Sequence, residues 1–103
     1  MIVYEVNAEV EASVADAYRE WIGPHVEHIL KLPGFVSGQV FEELGREHLP
    51  SRKFTVQYLL KNREDLEAYL NGPAQELRKE AMEKFGNQLT LTRRHLAVLL
   101  EKK

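Results

Sequence analysis

The spacing of hydrophobic residues changes along this chain of 103 residues in an order that few folds can accommodate. Residues 2–10 alternate between apolar and polar side chains, which predicts a strand with one buried face. Helical spacing follows over residues 13–30, and after it come two strands, a second helix and a last strand. This β-α-β-β-α-β order predicts a ferredoxin-like α+β fold, in which both helices cover one face of a four-stranded antiparallel sheet.

Polar residues, proline and glycine mark the predicted ends of the elements in the first half. Ser13 opens the first helix, with Asp16 three residues later as a capping-box-like pair. Leu32-Pro33-Gly34 ends this helix, and we expect the second strand over residues 35–43. The polar segment 45–51 is typical of a hairpin connection to the third strand.

The second half repeats the pattern of strand, helix and strand. Apolar side chains alternate with polar ones over residues 53–60, which predicts the third strand. Asn62 caps the second helix, the Asn-Gly-Pro sequence at 71–73 interrupts it, and Phe-Gly-Asn at 85–87 ends it. We expect the last strand over residues 89–99 and a single domain over residues 1–103.

Composition excludes several classes of function. The net charge of −2 argues against nucleic acid as a partner, because phosphate binding needs a basic surface. No apolar run approaches the roughly 20 residues of a membrane span, and acidic residues near the start argue against a signal peptide. The absence of cysteine excludes disulfides, thiol catalysis and thiolate metal sites, and it fits a cytoplasmic protein.

The sheet face away from the helices is predicted to be mixed in character. It is too apolar to be wholly solvated and too polar to be a core, which suits a partly hydrated subunit interface and a homodimer. Its residues on the first and third strands are Val3, Glu5, Asn7, Glu9, Lys53, Thr55, Gln57 and Leu59.

Two histidines follow the Gly-Pro pair at 23–24 in the first helix. A helical wheel places His25 in the inward stripe beside Trp21, and His28 nearer its edge. Three interpretations remain open for His25. It could hydrogen-bond a backbone carbonyl that Pro24 frees, it could serve as a general base or substrate-orienting group, or it could bind metal with His28. No third ligand stands at a telling spacing, so we expect no metal site.

Aromatic residues with polar tips also fall on the predicted inner faces, and with His25 they could line a pocket for a planar or amphipathic ligand. They are Tyr4, Trp21, Tyr58 and Tyr69. The alternative is an ordinary aromatic core, and a cavity distinguishes the two, because a core fills its space.

Other polar segments carry weaker signals. The break at 71–73 could join two helical segments or hold open the mouth of a pocket. Arg93-Arg94-His95 is predicted to be a solvated edge strand, although one or two of these side chains could bind an anion. His48 is predicted to be exposed, and no nucleotide-binding loop or nucleophile elbow is present.

The order of elements, together with Leu32-Pro33-Gly34-Phe35 and the segment 65–73, resembles the dimeric α/β-barrel superfamily. That superfamily includes antibiotic-biosynthesis-type monooxygenases, EthD-like proteins and muconolactone isomerase. More closely, the whole chain resembles a family of small bacterial proteins without assigned function. Its members share a Met-Ile-Val-Tyr-type first strand, Trp21, His25 and the Pro33-Gly34-Phe35 turn. The resemblance implies a homodimer with a pocket in each subunit.

One feature departs from the haem-degrading relatives, in which the second helix supplies the axial histidine. Here Ala74 and Gln75 follow Pro73, and the second helix contains no histidine. The expectation is therefore a small-molecule site without a bound cofactor, acting as a monooxygenase- or isomerase-like enzyme. His25 would orient or deprotonate the substrate, and the aromatic residues would hold it. The alternative is a non-catalytic dimeric module.

Overall fold

Four strands and three α-helices follow one another in the computed structural model, which describes residues 1–103. In chain order they are β1 (Ile2–Glu11), α1 (Ala15–Leu30), β2 (Phe35–Glu42), β3 (Ser51–Leu60), α2 (Arg63–Leu70), α3 (Pro73–Phe85) and β4 (Leu89–Ala97). The predicted β-α-β-β-α-β order is confirmed. The predicted second helix is split into α2 and α3, because the Asn-Gly-Pro break ends one helix and starts the next.

The sheet has the strand order β2-β3-β1-β4, and every neighbouring pair is antiparallel. On the central strand β1, Tyr4 lies opposite Tyr58 of β3 and His95 of β4. Val6 likewise lies opposite Arg93 of β4. Directly paired residues point to the same side of a sheet, so the helix-covered face includes Arg93 as well as the apolar residues.

The core lies between this face and the helices. α1 contributes a stripe of buried residues at helical spacing, from Ala15 through Tyr18 to Ile29. Tyr18 packs its ring against Phe54 of β3 at 4.7 Å and against Phe85 of α3 at 5.7 Å, between ring centroids. These contacts join the sheet, α1 and α3 into one hydrophobic cluster. No helix is both long enough and apolar enough to cross a membrane.

Some predicted element ends are confirmed and others are wrong. The Asn62 side chain caps α2 by accepting a hydrogen bond from the Asp65 N–H at 2.9 Å. Ser13 does not cap α1: residues Ala12–Val14 form a 3₁₀ turn, and α1 starts at Ala15 without a side-chain cap. β4 ends at Ala97, two residues before the predicted end, since its ladder with β1 stops opposite Ile2.

The open face of the sheet carries a polar network at its centre. The Glu5 carboxylate is 3% exposed and accepts hydrogen bonds from Asn7 at 3.0 Å, Gln57 at 2.9 Å and Arg94 at 2.5 Å. These bonds to the charged form, led by the bond from Arg94, lower the pKa of Glu5 to about 2. Two half-buried apolar residues, Val3 and Leu59, lie beside the network, so the face has the predicted mixed character.

Candidate functional site

An open cavity lies between the helices and the covered face of the sheet. It measures about 480 Å³ including its mouth, and the centre of a water molecule can occupy about 50 Å³ of it. All five predicted site residues line it: Tyr4, Trp21, His25, Tyr58 and Tyr69. The fold therefore brings them together from β1, β3, α1 and α2, while their functional roles stay predictions.

His25 is held by its ring rather than by hydrogen bonds. α1 runs without interruption through Pro24, and Trp21 lies one turn before His25. The two rings stack with centroids 4.3 Å apart and planes 25° apart. The imidazole makes no hydrogen bond within the chain, so the predicted bond to a freed carbonyl is not formed; neither ring nitrogen is shut off from solvent.

The environment of His25 favours a neutral imidazole. Burial lowers the pKa of His25 below its ordinary value, the nearby Glu80 carboxylate partly offsets this, and His28 lowers it further. A neutral imidazole has a free lone pair and can accept a proton at neutral pH. His28 itself is exposed, and no group of three or more His, Asp or Glu residues is arranged to hold a metal ion.

Four tyrosines line the cavity with rings that are otherwise buried. Tyr4 stacks on Tyr58 at 6.0 Å and meets Tyr69 edge-to-face at 5.7 Å, between ring centroids. Tyr18, which sequence analysis did not select as a site residue, lies on the α1 side. None of the four hydroxyls has a hydrogen-bond partner in the chain, yet none is sealed from solvent. The four tyrosines therefore line the cavity with hydroxyls that the chain itself leaves unpaired.

Burial raises the pKa of three of these phenols. It raises the pKa of Tyr18 to about 12. It is also the main cause that raises the pKa of Tyr58 and of Tyr69, and the phenol of Tyr4 adds to both. Tyr18, Tyr58 and Tyr69 therefore act as neutral hydrogen-bond donors at physiological pH.

Two arginines that were not among the predicted site residues also line this cavity, one of them from the segment 93–95, whose side chains could bind an anion. Arg93 lines it from β4 and Arg78 lines it from α3. The prediction of a solvated strand is correct for Arg94 and His95, which are exposed, but wrong for Arg93, which is half-buried. A sequence signal exists, because Arg93 continues the two-residue alternation of the inward-facing Leu89 and Leu91.

The break between α2 and α3 lies between residues that line the cavity. Tyr69 lines the cavity from before the break, and Leu77 and Arg78 line it from after the break. Neither helix contains a histidine, so α2 and α3 offer no imidazole to a haem iron.

Solved structures share this fold over nearly the whole chain. A provisionally assigned antibiotic biosynthesis monooxygenase from Deinococcus radiodurans matches with a TM-score of 0.71 at 15% identity, covering 100% of this chain and 99% of its own. SnoaB, a cofactor-independent oxygenase from Streptomyces nogalater, matches with 0.71 at 12% identity, covering 97% of this chain and 95% of its own.

A third similar structure is the haem-degrader MhuD from Mycobacterium tuberculosis, with two haems bound in its active site. It matches with a TM-score of 0.62 at 22% identity, covering 98% of this chain and 99% of its own. These likenesses show that the chain has the fold that the resemblance implied. No curated protein matches the chain in sequence.

One family profile also matches. It is described as a domain of unknown function, DUF4286, and it matches residues 1–99, nearly the entire chain. The chain therefore belongs to the DUF4286 family, whose fold here is that of the monooxygenase-like ferredoxin proteins.

Proposed function

We propose that this protein binds a small planar or amphipathic metabolite in the cavity beside Trp21 and His25. The observation that carries the proposal is a set of four buried tyrosines that line one cavity and whose hydroxyls have no hydrogen-bond partner in the chain. Buried polar groups in a finished core are normally hydrogen-bonded. Unpaired donors around a cavity are instead typical of a ligand site.

The walls and the polar groups fit different parts of such a ligand. The stacked pairs Trp21–His25 and Tyr4–Tyr58 supply flat apolar surfaces that suit a ring. The phenol hydroxyls can donate hydrogen bonds to oxygen substituents of the ligand, which act as acceptors. The ligand class is therefore a ring system that carries oxygen.

The chemistry we propose for His25 is proton removal. Its neutral imidazole takes a proton from an acidic C–H or O–H of the ligand, and the electron pair stays on the ligand as an anion. Reprotonation of that anion at another carbon is an isomerisation, whereas its reaction with dioxygen is an oxygenation without a bound cofactor. The fold shared with SnoaB supports this class of reaction by analogy.

A thermal-shift screen against planar phenols, quinones and aromatic acids tests the proposal. We expect compounds that raise the melting temperature of the wild type, and we expect His25→Gln to reduce that shift. His28→Gln is the matched control, because His28 is exposed on the same helix. A screen without hits, or hits that both variants bind equally well, would contradict the proposal.

A second candidate is a non-catalytic dimeric module, and the small interior of the cavity favours it. Only about 50 Å³ is open to the centre of a water molecule, so a ring can enter only if side chains at the mouth move. If this candidate is correct, the cavity holds water alone and cavity-lining variants change stability without changing any binding.

A further inference from the structure

We infer that the ligand of this cavity is an anion, a planar molecule whose carboxylate or similar oxyanion is bound by Arg78 and Arg93. The inference rests on the proposed binding function and names the ligand class for the same site. It makes Arg78 and Arg93 specificity-determining residues that bind one end of the ligand.

The two arginines reach the cavity from opposite layers of the fold. Arg93 belongs to the sheet, on β4, and Arg78 belongs to the helical layer, on α3. Both guanidinium groups act on the same phenol, because each lowers the pKa of Tyr69 against the larger effect of burial. Arg78, Arg93 and Tyr69 therefore line one cavity, with both cations within electrostatic range of the phenol.

Neither of these arginines has a partner in the chain. Arg19 and Arg94 form ion pairs with carboxylates, Arg46 is paired with Glu9 and Glu43, and the Arg52 guanidinium bonds backbone carbonyls. Arg78 and Arg93 form no ion pair or hydrogen bond with the protein.

The cavity itself contains no compensating acid. Sixteen residues line it and none is Asp or Glu, although the chain as a whole carries a net charge of −2. Glu80 acts on His25 through its charge but is not a lining residue. The cavity is thus positive within an acidic protein, and such a local field attracts an anion.

Guanidinium chemistry narrows the kind of anion. The planar fork of arginine bonds both oxygens of a carboxylate at once, and such charge-assisted bonds are stronger than neutral ones. The same cavity is lined by Tyr4, Trp21 and His25, whose rings are available to contact the ring of the ligand. A planar aromatic acid satisfies the charged end and the aromatic walls together.

Calorimetric titration with matched acid and amide pairs tests the inference. The probes are benzoate with benzamide and 2-naphthoate with 2-naphthamide, which share a shape within each pair and differ in charge. We expect the acid to bind about tenfold more tightly than the amide, as a charge-assisted contact implies. We also expect this preference to shrink as salt rises from about 0.05 M to about 0.5 M.

Variants of the two arginines test whether these side chains cause the preference for the acid over the amide. Arg93→Gln and Arg78→Gln should each weaken binding of the acid more than binding of the amide, so the acid-to-amide preference should fall. Arg93→Lys keeps the charge but loses the fork, so it should retain only part of the preference. Arg63→Gln is the control: it removes the same charge from an exposed position outside the cavity.

Each remaining outcome has one meaning. Equal binding of acid and amide overturns the inference and leaves the proposed function standing. Binding of no member of either pair overturns both. An equal loss of preference in Arg63→Gln shows a general charge effect, which also overturns the inference. If Arg93→Gln fails to fold, Arg78→Gln carries the test, because Arg78 is exposed on its helix.

Discussion

His25 is a half-buried side chain whose ring nitrogen atoms remain unpaired. Its ring face is covered by Trp21, while its nitrogen atoms have no partner in the chain. A ring stack of this kind contributes about 0.5–1.5 kcal/mol beyond burial. The contact fixes the ring without occupying its lone pair, which is what a positioned base needs.

This environment makes folding stability depend on pH. The pKa of folded His25 lies below its unfolded value of 6.5, so the unfolded state binds more protons near that pH. The free energy of unfolding should therefore fall as the pH drops through 6.5. Urea unfolding of His25→Gln between about pH 5 and 8 should show a smaller fall, whereas His28→Gln should keep most of the fall, because burial lowers the pKa of His25 more than His28 does. A fall that is unchanged in His25→Gln would contradict the buried, unpaired state of this residue.

The side chains of the site were predictable where apolar patterns controlled them. Tyr4, Tyr58 and Tyr69 follow inward-facing positions, and the structure places all three at the cavity. Arg93 was missed because its charge suggested solvent, although its parity with Leu91 placed it inside. The expected hydrogen bond of His25 failed for another reason: sequence spacing does not reveal a ring stack that turns the nitrogen atoms away.

At the scale of elements, the Pro33-Gly34 turn between α1 and β2 is tightly constrained. Gly34 has a φ of 85°, its carbonyl accepts a hydrogen bond from the Lys61 N–H at 3.0 Å, and a Cβ there would clash with the Asp65 side chain. The turn therefore joins the start of β2 to the loop before α2.

Gly34→Ala should destabilise the fold, because it combines a strained backbone with a steric clash. We expect a loss of about 2 kcal/mol or more in the free energy of unfolding. Gly45→Ala is the control: Gly45 has a φ of 82° but nothing lies within 4 Å of a Cβ there, so this variant carries the backbone strain without the clash and should lose less stability. Similar melting temperatures for the two variants would show that the turn is not constrained as described.

The order of elements was predictable because each change of hydrophobic period is preserved in the fold. The helix starts were less predictable. Asn62 caps α2 as its side chain suggests, but the 3₁₀ turn at Ala12–Val14 displaces the start of α1 past Ser13. The Ala12 N–H donates a hydrogen bond to the Pro50 carbonyl at 2.9 Å, so a contact distant in sequence holds this turn.

At the scale of the whole molecule, no helix of the chain covers the open face of the sheet. We propose that it pairs with the same face of a second copy, since a two-fold axis lets a mixed surface meet itself. Val3 and Leu59 supply apolar contacts there, beside the charged network of Glu5 and Arg94.

Leu59→Lys should weaken that association without damaging the helix-side core. Sedimentation at micromolar concentration should show a dimer for the wild type and a shift toward monomer for Leu59→Lys. Met82→Lys is the control, because Met82 is an exposed apolar residue on α3, away from this face. A wild type that sediments as a monomer would reject the dimer and leave the domain fold unchanged.

The most direct test of ligand binding in this cavity is a crystal structure of the protein soaked with 2-naphthoate. We expect electron density for the naphthalene ring in the cavity beside Trp21 and Tyr69, with the carboxylate facing Arg78 and Arg93. A closed cavity, or a ligand bound only elsewhere on the surface, would contradict the claim that this cavity is the functional site.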